Sequence, residues 1–196
     1  MKKSFIVAIS LAFIISCNNH NKENPEVNDV KENKSDSFFP VTSFIKGQII
    51  ILDSLPVTPL QITIINNKSD SVWIKKSDIK PLLIPFLTPE ITATNLTNYF
   101  KETVFNDQTL NAITFTYDAK KSLPDSILIK HWDVYVNPET GSVDKVYIVK
   151  KLTENNQIIT QQLTWQNNKS AKIVTILINP DGSSKLIKEV VFLWKF

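Results

Sequence analysis

Four short turns punctuate the C-terminal third of the chain, and their spacing constrains the fold more than any other feature. Apolar and β-branched runs cover residues 126–136, 143–152, 157–166, 170–179 and 184–195, with a further run at 110–118. Between the last five lie Asn137-Pro138-Glu139-Thr140-Gly141, Glu154-Asn155-Asn156, Asn167-Asn168-Lys169 and Asn179-Pro180-Asp181-Gly182. Proline presets φ in such turns, while asparagine and glycine accept the positive φ that a tight reversal needs. Runs of strand length joined by so few residues pair with their sequence neighbours, which makes an antiparallel meander. Alternation assigns the faces. Ile159, Leu163 and Trp165 fall on one side of a strand and Thr160, Gln162 and Thr164 on the other, so one side meets a core and the other water. In the last run, Leu186, Val190, Phe192 and Trp194 share the apolar side.

The region before these strands reads differently. Val41, Phe44, Ile45, Gln48, Ile49, Leu52 and Leu55 recur at spacings of three and four, with Pro40 as a first-turn residue and Pro56 beyond the end. That spacing predicts an amphipathic helix, although Gly47 and the run Ile49-Ile50-Ile51 also suit a strand. Leu60 to Ile65 and Ser71 to Lys75 flank a polar turn at 66–70 and predict a hairpin. Ser77 is placed to cap a short helix reaching about Phe86, and a second short helix is expected over Thr94 to Phe100. The fold expected is α+β: a curved antiparallel sheet of six to eight strands, packed on an N-terminal helix and two short helices. In outline such a curled sheet is similar to the half-barrels of periplasmic lipoprotein carriers. The turn Asn137-Pro138-Glu139-Thr140-Gly141 between two strands resembles a signature of PepSY-like envelope domains. Both likenesses are architectural, and architecture alone gives no function.

An address is written at the start. Lys2 and Lys3 precede an apolar run from Phe5 to Ile15, and Ser16 precedes Cys17, the only cysteine. A basic start, a short apolar stretch and a small residue before a cut is the order of a secretory signal peptide. Eleven helical residues reach about 17 Å, against a hydrocarbon core of roughly 30 Å, so the segment is too short to span. A cysteine directly after the small residue resembles the lipobox of bacterial lipoproteins. That resemblance implies cleavage after residue 16, acylation of Cys17 and attachment to a membrane through its lipid; anchoring of that kind takes two or more chains to be durable. One thiol leaves no intramolecular disulfide and no cysteine metal cluster. Residues 18–37 carry only Val27 and Val30 as apolar side chains and cannot bury enough surface to fold. The organisation expected is therefore signal segment 1–16, lipidated cysteine and tether 17–37, and one domain over 38–196. The absence of an acidic cluster after Cys17 favours the outer membrane, facing the periplasm.

Charge narrows the partners. Without Lys2 and Lys3, 20 of the 22 lysines remain against 19 acidic residues, and arginine is absent. Bidentate recognition of phosphate and guanine favours arginine, so no nucleic-acid partner is expected. With three glycines there is no phosphate-cradling loop, no G-x-S-x-G elbow and no other cofactor motif.

His131 is the only histidine after the tether. On its strand it shares a side with Asp133 and Tyr135, while Trp132, Val134 and Val136 face the other way. A histidine beside a carboxylate is the nucleus of a general base, but side chains at i and i+2 of a strand tend to diverge, which favours a plain polar strand face. A carboxylate-only calcium site near Asp133, Glu139 and Asp144 lacks a spaced calcium loop. The abundant aromatics are either core or the lining of an apolar cavity. Two functions stay open: a non-catalytic lipoprotein binding another envelope protein through a sheet face or edge, and a carrier or sensor of an apolar molecule. Neither reading is enzymatic.

Overall fold

Three glycines are too few for the reversals of a long sheet, and asparagine takes their place. Asn66, Asn67, Asn111, Asn155, Asn156 and Asn168 all have positive φ, between 48° and 61°. Asparagine tolerates this left-handed region better than other side chains carrying a Cβ. Asn66-Asn67 joins Ile65 to Lys68, and Asn155-Asn156 joins Glu154 to Gln157. Two-residue loops with both φ positive match the right-handed twist of the strands they connect.

The computed structural model describes residues 31–33 and 37–194. In chain order its elements are β1 (Lys31–Asn33), α1 (Val41–Ser54), β2 (Leu60–Ile65), β3 (Lys68–Trp73), α2 (Lys76–Leu82) and a 3-10 turn at Ile84–Phe86. Then follow β4 (Phe100–Asp107), β5 (Ala112–Ala119), β6 (Ile129–Val136), β7 (Val143–Glu154), β8 (Gln157–Gln166), β9 (Ser170–Ile178) and β10 (Ser184–Leu193). The strands form one open, fully antiparallel sheet in the order β1-β4-β5-β6-β7-β8-β9-β10-β2-β3. The α+β class and the C-terminal meander are as the sequence predicts.

Several details differ. The sheet has ten strands rather than six to eight, because β1 and β4 were not foreseen. β4 reads FKETVFND, whose polar residues mask its alternation. Its Glu102 is buried, with Tyr117 as hydrogen-bond partner. β1 takes Lys31–Asn33 out of the expected tether and pairs them with β4. The second short helix fails: residues 95–99 form turns closed by Tyr99 N–H and Phe100 N–H donating to Leu96 C=O, and β4 starts at once. Ser77 does not cap α2, because its hydroxyl donates to Asp78 instead and the cap position is Lys75.

α1 settles the ambiguity of its isoleucines. Val41, Ile45, Ile49 and Leu52 are buried on one stripe while Ile50 and Ile51 are exposed, the three-to-four spacing of a helix lying on a sheet. Thr42 ties it to the loop before β4, donating its N–H to Ile91 C=O at 3.1 Å and accepting from Ile91 N–H at 2.8 Å. Between helix and sheet the space is filled by rings. Tyr117 stacks on Trp132 at 4.6 Å, with Phe100 tilted against the same indole at 4.7 Å and Phe38 edge-on to Tyr117 at 5.0 Å. A second group sets Trp165 against Phe86 at 5.6 Å and Trp194 at 5.2 Å. Neither Trp132 nor Trp165 has a hydrogen-bond partner for its indole N–H among the described residues, so ring packing holds both.

Bulges decide the exceptions to alternation. A register shift between Leu186 and Lys188 turns Leu186 out of the apolar side predicted for it, and it is exposed. Another between Ile129 and His131 lets Ile129 bury in the core while His131 comes out on the opposite, open face.

Candidate functional site

The centre of the open face is built from the polar halves of three neighbouring strands. Register places Asp118 of β5 opposite His131 of β6, Thr116 opposite Asp133, and Asp133 in turn opposite Tyr147 of β7. The three residues expected on one side of β6, namely His131, Asp133 and Tyr135, are brought together, and the divergence expected of i, i+2 neighbours is overcome. His131 Nε2 lies 3.0 Å from Asp133 Oδ2, and its Nδ1 lies 2.9 Å from Asp118 Oδ1. Asp133 also accepts from Thr116 Oγ1 at 2.8 Å and from Tyr135 Oη at 3.4 Å. The Tyr147 ring lies edge-on to the imidazole at 6.3 Å, and Lys145 Nζ sits 3.5 Å over the Tyr135 ring.

A neutral imidazole has one N–H and one lone pair, so it can satisfy only one of two flanking carboxylates. Both nitrogens here face carboxylates, which selects the imidazolium. The Asp133 hydrogen bond raises the His131 pKa above its ordinary value, partial burial opposes this, and Asp118 adds to the rise. Burial, followed by the charge of Asp133, pushes Tyr135 up to about 12 and also raises Tyr147, so both phenols keep their protons. The result is a fixed array of donors around one nearly buried carboxylate. No free lone pair remains on His131 to take a proton, so the array suits recognition of a polar surface better than proton transfer.

Tyr135 links this array to an open cleft of about 530 Å³ at the end of the sheet, which Leu110, Asp144, Lys145, Asn167 and Lys169 also line. The buried Asn167 Oδ1 has no donor among the described residues. Of the carboxylates considered for calcium, Asp133 is committed to the array and Asp144 stands in the cleft, while Glu139 lies in the exposed turn closed by Asn137 Oδ1. Among the described residues no group of three or more His, Cys, Asp and Glu side chains is disposed to hold a metal. Cys17 and residues 1–16, expected to be a signal segment, lie outside the described residues. Among the described residues no helix is long and apolar enough to cross a membrane.

Sequence reasoning missed Asp118, Thr116 and Tyr147, because their membership depends on cross-strand register. The signal was present in part: Thr114, Thr116 and Asp118 alternate with Phe115 and Tyr117 along β5. A comparison with family models, with curated proteins and with solved structures finds no match.

Proposed function

We propose that this chain is a non-catalytic binding module of the bacterial envelope, held to a membrane by lipid on Cys17 and engaging another envelope component through its open sheet face. The observation that carries the reading is the unequal use of the two faces. The core face is filled by α1 and stacked rings, whereas the open face keeps an ordered array of His131, Asp133, Tyr135, Asp118 and Tyr147 at its centre. Ordering polar side chains costs conformational entropy, and a protein surface that pre-orders them lowers the cost of binding. The half-barrel carrier has less support, since the aromatics that would line its cavity pack on one another instead. The outer membrane, facing the periplasm, is the proposed location.

The anchor is tested by growing cells with an alkyne-bearing fatty acid. The wild-type chain becomes labelled and sediments with membranes, whereas Cys17→Ser is unlabelled and keeps its signal segment. Labelling of Cys17→Ser, or a wild-type chain free in the periplasm, would overturn it.

A further inference from the structure

Along the core face of β7, Val146 and Ile148 are followed by Lys150, a lysine where the alternation calls for a third apolar residue. Its side chain is turned inward and only 3% exposed. The ammonium donates to the backbone carbonyls of Pro85 and Thr88, in the segment following α2. An ammonium has three N–H donors, so these two carbonyls leave one unused. No acidic side chain pairs with it among the described residues, and burial alone perturbs it. A buried cation without a counter-charge is costly and is retained only where something compensates it.

The same place carries a groove. Ile84, Pro85, Thr88, Pro89, Leu128 and Leu152, with Gln161 and Lys150 itself, line an open groove of about 390 Å³, a volume within the range of small-molecule sites. Pro85 and Thr88, whose carbonyls hold the ammonium, are among its walls, as is Lys150, so the charge stands at the wall of a mainly apolar, open groove. Ile84 is 51% exposed at its lip. An apolar channel with one unneutralised cation is complementary to an amphiphile whose head is a single anion.

We propose that this groove binds a medium-chain carboxylate, its head paired with the Lys150 ammonium and its chain lying along Leu128, Leu152, Ile84 and Pro89. Desolvation lowers the Lys150 pKa to about 8, which still leaves the amine mostly charged at neutral pH. The site is separate from the open face: its residues lie on the core side of β7, and neither site requires the other. It also gives Lys150 a role beyond fastening the 84–89 segment to the sheet.

The test is calorimetric titration of the full-length chain in lipid nanodiscs with decanoate, subtracting empty nanodiscs, with decanol and acetate as companion probes. Saturable binding of one decanoate per chain is expected, about tenfold to a hundredfold weaker in Lys150→Met, since one charge-assisted hydrogen bond is lost. Leu152→Trp keeps the amine but fills the groove, and it should abolish saturable binding. That variant serves if Lys150→Met fails to fold. Decanol and acetate should each bind at least about tenfold more weakly than decanoate, because each lacks one half of the recognition. Absence of saturable decanoate binding, unchanged affinity in Lys150→Met or in Leu152→Trp, or equal affinity for either companion probe would each overturn the proposal. None of these results bears on the open face or on Cys17.

Discussion

Removing the imidazolium of His131 should destabilise the protein by an amount that shrinks as pH rises. The magnitude follows from the two bonds. Asp133 is 12% exposed at its side chain and accepts from His131 at 3.0 Å, so this charge-assisted bond contributes about 1.5–3 kcal/mol. Asp118 is 53% exposed, and screening by water reduces its share to roughly 0.5 kcal/mol. His131→Ala should therefore cost about 2–3 kcal/mol at pH 6. The sign follows from linkage. The folded-state pKa of His131 lies above the 6.5 of an unperturbed histidine. Its contribution is complete below about pH 6.5 and is lost as pH rises through the folded value, with a steepest slope of about 1.4 kcal/mol per pH unit for one proton. The charged groups facing it are Asp118 from β5 and Asp133 from its own strand, with Tyr147 from β7 protonated throughout this range. Lys150, lowered to about 8, acts in the opposite sense at higher pH. The proper readout is accordingly the difference between wild type and variant, which cancels it. Urea unfolding followed by tryptophan fluorescence at pH 5.5 to 9.5 measures that difference. A difference that stays constant across this range, or that grows with pH, would refute the doubly paired imidazolium.

Other expectations follow from the packing and the turns. Trp132→Ala removes a fully buried indole stacked on Tyr117 and packed against a tilted Phe100 ring, and should cost about 3–5 kcal/mol in the same assay. Asn156 has φ 61° at the second position of a two-residue hairpin, so Asn156→Gly should be near neutral, whereas Asn156→Val should lower stability by about 1–2 kcal/mol or more. The Lys46–Glu90 pair at 2.7 Å is half-exposed on both sides, and Lys46→Ala should shift stability by no more than about 0.5 kcal/mol.

The parts of this molecule that are legible in sequence are those fixed by local chemistry. Asn155-Asn156 and Asn179-Pro180-Asp181-Gly182 announce reversals because their backbone preferences are intrinsic, and the strands between them follow. Glu102 and Lys150 show where that reasoning ends. Each is a charged residue facing a core, compensated by groups distant in sequence: Tyr117 for one, Pro85 and Thr88 for the other. Neither partner can be read from a period-two pattern. Leu186 was misplaced for a different reason, since one bulged residue inverts every assignment on its far side. For the polar array the sequence showed the β6 residues together but not their partners. Asp118 and Tyr147 join them only through register, and the second carboxylate is what turns a histidine–aspartate neighbour pair into a fixed cation.

The most direct test of the proposed binding module is site-specific photo-crosslinking in intact cells. A benzophenone side chain would replace Tyr147, Thr164 or Lys172 on the open face, with exposed Lys121, in the loop between β5 and β6, as the control. The account predicts one shared adduct from the three open-face positions and none from Lys121. No adduct from any of the three, or equal adducts from Lys121, would contradict it.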